Sequence, residues 1–179
     1  MDSSSGPDSA KPWLLTGSDL TPRELGRLSS DLDIKLGLSP DARDAVMRSR
    51  LFVEDLLKGE GQIYGVTTGF GRLAEVIIPP SEREALQVNL VRSHSAGVGR
   101  VLETNEVRAV MILRANALAR GHSGCRVEVV DRLLDYLNRG IHPRIPEAGS
   151  VGASGDLAPL AHVALTLLGE GEVEHGGAI

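Results

Sequence analysis

Near its carboxyl end the chain reads Gly-Ser-Val-Gly-Ala-Ser-Gly-Asp-Leu-Ala-Pro-Leu over residues 149–160. Small residues fill the first half of this stretch, and an apolar run begins at Leu157. Glycines allow the backbone to turn sharply, while Ser154 or Asp156 can cap the helix that the apolar run predicts over 157–168. Pro159 falls in the first turn of that helix, where proline is tolerated. The simplest interpretation is a tight loop that leads into a helix.

The tripeptide Ala153-Ser154-Gly155 has a second possible role, because it can build an electrophile from its own backbone. The amide nitrogen of Gly155 can attack the carbonyl carbon of Ala153 with loss of water, and dehydration of Ser154 then leaves an exocyclic methylidene. The product is a methylidene-imidazolone (MIO) ring. Small residues at both ends permit the close approach that ring closure needs. Taken alone the tripeptide favours the helix-capping interpretation, so the choice depends on the rest of the chain.

The hydrophobic pattern predicts a mainly α fold with a few short strands and glycine-rich loops. Helices are expected to begin at Thr21, with Pro22 and Glu24 completing a capping box, and at Ser39. Further helices are expected over 81–94, opened by a capping box at Ser81, and over 107–119, 127–137 and 157–168. In the helix over 107–119, the side chains expected to be buried are Val110, Met111, Leu113 and Leu118.

The intervening segments have little helical periodicity. Short strands are expected over 62–66 and 76–78, with an irregular loop between them at Gly65, Gly69 and Gly71. Residues 142–151 contain two prolines and are expected to form a loop that leads into the Ala-Ser-Gly segment.

Composition limits the class of protein. The chain has 179 residues, 41% of them hydrophobic, and a formal net charge of −5. These values are typical of a globular domain and argue against nucleic acid as the main partner. A single cysteine, Cys125, excludes a disulfide within one chain. Apart from His94, the histidines lie at positions 122, 142, 162 and 175. They show no metal-ligand spacing, and no metal site is expected.

The amino terminus is rich in Ser, Asp and Pro and lacks the apolar core of a signal peptide. Residues 1–12 are therefore expected to be a disordered tail, and residues 13–179 a single domain. No apolar run reaches the length of a membrane span, so a cytoplasmic protein without membrane contact is expected.

Two further stretches support the second role of the tripeptide. One is Ile-Tyr-Gly-Val-Thr-Thr-Gly-Phe-Gly over residues 63–71, and the other is Leu-Gln-Val-Asn-Leu-Val-Arg-Ser-His-Ser-Ala-Gly-Val-Gly over residues 86–99. Together with 149–159 they resemble, in order and spacing, the MIO-dependent aromatic amino acid lyases, and most of all the histidine ammonia-lyases. The resemblance runs from about residue 20 to about residue 173.

The resemblance implies roles for particular residues. MIO would form autocatalytically from Ala153, Ser154 and Gly155, with no external cofactor, and Tyr64 would be the base that removes the β-proton. An electrophile of this kind either takes the amino group covalently or attacks the aromatic ring, and the sequence does not choose between them. Asp156 and the helix after it would orient the ring and stabilise an enolate-like oxygen on it. Gly65 and Asn89 would support the site.

Ser93 and His94 occupy the positions that read the substrate ring in the resembled family. The imidazole of His94 can form a hydrogen bond with a polar substrate ring. The expected activity is therefore that of a carbon–nitrogen lyase that converts L-histidine to trans-urocanate and ammonia. Some tyrosine aminomutases carry a similar Arg-Ser-His-Ser string, so tyrosine ammonia-lyase or 2,3-aminomutase chemistry stays open. Gln87 and Asn89 either hydrogen-bond to backbone near the site or form a solvated helix face.

The resembled family also implies an assembly. Its members are longer and work as tetramers whose active sites combine several subunits, with substrate-holding residues from later in the chain. The expected partners are therefore a small amino acid, further copies of the chain, or a complementing C-terminal chain. A non-catalytic relative that acts as a partner subunit is the remaining alternative.

Two other kinds of site are disfavoured. A dinucleotide site at 69–74 would need a helix that Pro79 and Pro80 interrupt. A serine hydrolase is disfavoured because Ser154 lacks the spacing of a nucleophile elbow.

Overall fold

The computed structural model describes residues 11–59, 61–149, 151–152 and 155–179. Most of the expected tail, residues 1–10, lies outside the described residues, as do Ala153 and Ser154. The helices are α1 Pro22–Ser30, α2 Pro40–Leu56, α3 Arg83–His94, α4 Thr104–Ala119, α5 Val127–Arg139 and α6 Ala158–Leu167. The strands are β1 Trp13–Leu15, β2 Leu36–Leu38, β3 Val98–Val101, β4 Ile141–Pro143, β5 Pro146–Ala148, β6 Val151–Gly152, β7 Gly155–Asp156 and β8 Val173–His175. The prediction of a mainly α fold is confirmed.

The first two helices begin where their capping residues predict. The Thr21 hydroxyl accepts a hydrogen bond from the Glu24 amide at 3.3 Å, and the Glu24 carboxylate accepts one from the Thr21 amide at 2.8 Å. Hydrogen bonding from Thr21 lowers the pKa of Glu24. The Ser39 hydroxyl accepts from the Ala42 amide at 3.2 Å and starts α2. Both helix starts follow from local hydrogen bonds that satisfy otherwise unpaired amides.

The core lies where α4 packs against α1 and α5. Its buried side chains include Leu28, Val107, Met111, Ile112, Ala115, Val130, Leu133 and Leu137. Of the residues expected to be buried on α4, Met111 and Leu118 are buried, and Val110 is half-buried. The prediction for Leu113 is wrong, since it is 49% exposed. Leu113 comes two residues after Met111. In a helix with 3.6 residues per turn it therefore lies on the opposite side from Met111, away from the core.

A fully buried arginine joins three segments of this core. Arg108, on α4, is 0% exposed, and its guanidinium donates hydrogen bonds to the carbonyl oxygens of Leu28, Ser29 and Asp31. A fourth bond, 3.0 Å long, goes to the carbonyl oxygen of Leu137 in the last turn of α5. The last carbonyls of a helix lack partners within it and carry partial negative charge. Arg108 therefore closes the ends of α1 and α5 with one side chain.

Several expectations for the short segments are wrong. Residues 62–66 form a turn, because the amides of Val66 and Thr67 both donate to the Ile63 carbonyl. The strand expected over 76–78 is reduced to a single bridge between Thr68 and Ile77. A 3₁₀ turn, Pro80–Glu82, precedes α3, and the residue at the helix N-cap is Glu82 rather than Ser81.

The loop expected over 142–151 is also wrong, because it contains strands β4 and β5 and the start of β6. Strand β4 pairs with β8, and β5 pairs antiparallel with β3. Both partners are distant in sequence, so no local pattern predicts them. Strand β5 packs beside α6, and its Pro146 lies next to Gly97, three residues beyond the end of α3.

Candidate active site

The chain reverses direction at the Ala-Ser-Gly segment. Strands β6 and β7 pair antiparallel, with Gly152 opposite Gly155 and Val151 opposite Asp156. Ala153 and Ser154, which join the two strands in sequence, lie outside the described residues. Gly155 has φ +103°, a conformation that glycine adopts without strain. The backbone on either side of the tripeptide is thus folded back on itself.

Helix α6 follows this reversal directly. Its N-cap is Leu157, which makes no side-chain capping bond, and Pro159 lies in its first turn as predicted. The N-cap residue is therefore not Asp156, one of the two residues that the helix-capping alternative named, and the other, Ser154, lies outside the described residues. The N-terminal end of a helix carries partial positive charge, and the N-terminal end of α6 follows the segment directly.

Tyr64 stands in the turn that replaces the expected strand. Its side chain is 63% exposed, and its ring meets the edge of the Phe70 ring at a centroid distance of 5.8 Å and an angle of 79°. The Gly71 amide donates a long hydrogen bond of 3.4 Å to the Tyr64 hydroxyl. This pairing holds the ring while leaving the hydroxyl accessible to a bound molecule.

Gly65 is required by the same aromatic pair. It has φ +69°, and a Cβ atom at this position would lie 2.6 Å from Cε1 of Phe70. Such a contact is far inside van der Waals separation, and the backbone conformation is itself unfavourable for other residues. Gly65 therefore lets Phe70 support the turn that carries Tyr64.

His94 is the last residue of α3, and Ser93 precedes it. The Nδ1 atom of His94 lies 2.9 Å from the carbonyl oxygen of Leu90 and 3.1 Å from the Ser93 hydroxyl, which itself donates to the same carbonyl at 2.9 Å. A carbonyl oxygen can only accept, so Nδ1 carries the proton. In a neutral imidazole the other nitrogen, Nε2, is then a hydrogen-bond acceptor.

Helix α3 also touches the turn that carries Tyr64. The Gln87 amide group donates to the Gly65 carbonyl oxygen at 3.4 Å, which favours the backbone-bonding alternative for this residue. Asn89 is exposed and makes no hydrogen bond that the structure records among the described residues, as a solvated position would. The structure therefore brings Gly65 to Gln87, but it records no bond between the Tyr64 and His94 side chains in that part of the chain.

A cleft of about 610 Å³ lies next to this region. Arg50 and Val53 of α2 line it together with Leu57, which follows the helix. Gly65 and Gln87 line it from other parts of the chain. Tyr64, Ser93, His94 and Gly155 are not among its lining residues. Of the predicted site residues that the structure describes, Gly65 therefore lines the cleft, whereas Tyr64, Ser93 and His94 do not.

Two contacts at this site were not predicted from sequence. The His162 ring on α6 accepts a hydrogen bond from the Gly97 amide at 3.2 Å. Arg92 forms a bidentate ion pair with Glu170, with Nε–Oε2 at 2.9 Å and Nη2–Oε1 at 2.5 Å. In each contact the two partners are remote in sequence, so no local pattern predicts it.

A family model described as aromatic amino acid lyase matches residues 20–179. The chain belongs to the aromatic amino acid lyase family. It is 48% identical over 169 residues to the histidine ammonia-lyase of Clostridium tetani, covering 94% of this chain and 33% of that protein. It is 56% identical over 142 residues to the histidine ammonia-lyase of Chloroflexus aurantiacus, covering 79% of this chain and 27% of that protein.

Solved structures of the family share the fold. A tyrosine aminomutase from Streptomyces globisporus superposes with a TM-score of 0.86 at 42% identity, covering 93% of this chain and 31% of its own. A histidine ammonia-lyase from Trypanosoma cruzi superposes with a TM-score of 0.84 at 39% identity, covering 94% and 32%. The chain spans about a third of the length of the curated relatives that it matches.

Among the described residues, no helix is long and apolar enough to cross a bilayer. The same residues contain no group of three or more His, Cys, Asp and Glu side chains arranged to hold a metal ion.

Proposed function

We propose that the chain is the N-terminal part, residues 13–179, of an ammonia-lyase that eliminates ammonia from an aromatic L-amino acid. L-Histidine, converted to trans-urocanate, is the proposed substrate. The observation that carries the proposal is the antiparallel pairing of β6 with β7, the strands on either side of residues 153–154. Strand β7 leads directly into α6, the helix packed against the His94-bearing helix α3.

The backbone around the tripeptide fits MIO formation. The opposed residues 152 and 155 are both glycines and so carry no side chains, and Gly155 adopts a conformation that larger residues avoid. Once formed from Ala153, Ser154 and Gly155, MIO supplies the electrophilic methylidene that ordinary side chains lack. Asp156 and the positive N-terminal end of the α6 dipole would orient the segment and stabilise negative charge beside it.

His94 is the proposed ring-reading residue. With its Nδ1 proton committed to the Leu90 carbonyl, Nε2 is left as an acceptor. An acceptor suits the N–H of an imidazole substrate, and Ser93 helps to hold the ring that presents it.

Tyr64 is the proposed base for the β-proton. Its accessible hydroxyl is positioned by Phe70 and by the Gly71 amide, while Gly65 makes that packing possible. A base must reach the proton that it removes. An exposed tyrosine hydroxyl can do so more easily than one buried by packing. Asn89, exposed on α3, is the proposed supporting residue that the remainder of an active assembly would contact.

Tyrosine ammonia-lyase or 2,3-aminomutase chemistry is the second candidate, and one observation favours it. The same Nε2 atom of His94 would accept a hydrogen bond from the hydroxyl of a tyrosine, as it would from an imidazole N–H. The 42% identity to a tyrosine aminomutase structure agrees with this alternative.

The active form is proposed to be an oligomer, a homotetramer or an assembly with a complementing C-terminal chain, in the cytoplasm. Large apolar side chains are exposed on α2 and on the loop before α3, including Leu51 at 63%, Phe52 at 65% and Ile77 at 56%. Contiguous exposed apolar surface is typical of an interface. If no assembly is active, a non-catalytic partner subunit is the remaining interpretation.

Mass spectrometry of the peptide spanning residues 149–159 tests the proposal first. Loss of two water molecules is expected in the wild type and in Ser150→Ala, and not in Ser154→Ala. An active assembly is then assayed with L-histidine and L-tyrosine in parallel. Ser154→Ala is expected to abolish ammonia release, while near-normal turnover by this variant would refute the mechanism. Preferred release from tyrosine would favour the second candidate.

A further inference from the structure

His162 is a half-buried histidine on α6 that the proposed reaction does not use. Its Nε2 atom accepts a hydrogen bond from the Gly97 amide at 3.2 Å. Because Nε2 accepts, the ring is neutral with its proton on Nδ1. Burial lowers the pKa of His162, which agrees with a neutral ring. Gly97 lies three residues beyond His94, so this bond ties α6 to the turn that ends α3.

The packing at Gly97 is independently tight. A Cβ atom on Gly97 would lie 3.1 Å from His162 Nε2 and 3.1 Å from Cβ of Pro146, on β5. Both distances are shorter than ordinary carbon contacts, so a side chain here would have to displace its neighbours by a few tenths of an ångström. The turn after α3 is therefore seated against α6 and β5 together, which leaves it little freedom to shift.

A second link joins the same two helices further along. Arg92, in the last turn of α3, forms its bidentate ion pair with Glu170, just beyond α6. Both side chains are partly exposed, at 54% and 38%, so solvent weakens this pair. The less exposed hydrogen bond at Gly97 is the more rigid of the two connections.

We propose that His162 is a positioning residue: its hydrogen bond to the Gly97 amide fixes the end of α3, and so sets where Ser93 and His94 stand relative to the start of α6. This inference rests on the proposed function, in which His94 reads the substrate ring and the segment before α6 carries the electrophile. A shift of the end of α3 would move His94 away from the substrate while leaving residues 153–155 in place. Loss of the bond therefore weakens substrate binding more than it slows the chemical step.

Two substitutions separate hydrogen bonding from packing. His162→Leu fills a similar volume but has no acceptor, while the side-chain oxygen of His162→Gln can accept from the Gly97 amide. The matched control is the same pair of substitutions at His122, which is exposed.

The first measurement needs no catalysis. Amide hydrogen exchange at Gly97 is expected to quicken about five-fold in His162→Leu, the change that loss of one hydrogen bond typically brings, and to stay within about two-fold of wild type in His162→Gln. NMR resonances of the His94 ring are expected to move in His162→Leu and not in His162→Gln or the His122 variants. Unchanged Gly97 exchange, or an unmoved His94 ring, in His162→Leu would overturn the proposal.

The second measurement uses an active assembly. His162→Leu is expected to raise KM for L-histidine about five-fold or more with a smaller change in kcat, and His162→Gln to restore KM. Equal losses in both variants would assign His162 a packing role only and refute positioning through Gly97. If the wild type releases ammonia from no amino acid, the proposed function fails, while the exchange and ring measurements still decide whether His162 sets the end of α3.

Discussion

Removing the buried guanidinium of Arg108 is expected to destabilise the protein strongly. In Arg108→Met the carbonyl oxygens of Leu28, Ser29, Asp31 and Leu137 lose their hydrogen bonds from the guanidinium, and Leu137 keeps the one from the Gly140 amide. If water reaches one of the other three at the end of α1, the remaining two cost about 1–3 kcal/mol each. The free energy of unfolding is therefore expected to fall by about 2–6 kcal/mol, which corresponds to a thermal midpoint lower by roughly 10 °C.

Urea and thermal unfolding followed by circular dichroism measure this change. Arg114→Met is the control, because Arg114 lies on the same helix and is exposed, so its effect is expected to stay within about 0.5 kcal/mol. Arg108→Lys should fall between the two, since an ammonium has fewer donors and a shorter reach. An Arg108→Met variant as stable as Arg114→Met would refute the claim that one side chain closes the ends of α1 and α5.

Two further perturbations follow from buried groups near the core. Burial, and to a smaller extent the charge of Arg108, lowers the pKa of His142 below its usual 6.5. As the pH drops below about 6.5, His142 is therefore protonated more readily in the unfolded chain than in the folded one, and the free energy of unfolding falls. His142→Phe should make that fall shallower in urea titrations at pH 7 and pH 5, and an equally steep fall would contradict the assignment. Gly121 has φ +70°, and in Gly121→Ala the new Cβ would lie 2.6 Å from the backbone of Ala45. The free energy of unfolding is therefore expected to fall by about 2 kcal/mol or more. Gly26→Ala, where a Cβ meets nothing within 4 Å, is its control and should stabilise α1 by up to about 1 kcal/mol in the same assay.

Local chemistry in the sequence predicted the helices well. The capping residues Thr21 and Ser39 act within a few positions of themselves, so the start of each helix is contained in its own segment. Gly140, with φ +67°, ends α5, because few other residues adopt that conformation. The three motifs that indicated the family are likewise contiguous.

Sequence reasoning failed where local hydrogen bonds competed with an extended pattern. The apolar residues around Ile63 resembled a strand, but the Thr67 hydroxyl accepts from the Ile63 amide at 2.7 Å and donates to the Gly61 carbonyl at 2.9 Å. Those bonds close a turn, and the resulting curvature presents Tyr64 at the surface. A short polar side chain can satisfy backbone groups in this way without any sheet partner.

The sequence by itself determined the helix boundaries set by caps, the mainly helical class and the identity of the residues available for chemistry. Only the tertiary structure decided which of these residues meet. The His162–Gly97 bond, the Arg92–Glu170 pair and the burial of Arg108 each join elements far apart in the chain. Such contacts depend on how helices pack, and packing is decided by the whole set of apolar faces at once rather than by any one segment.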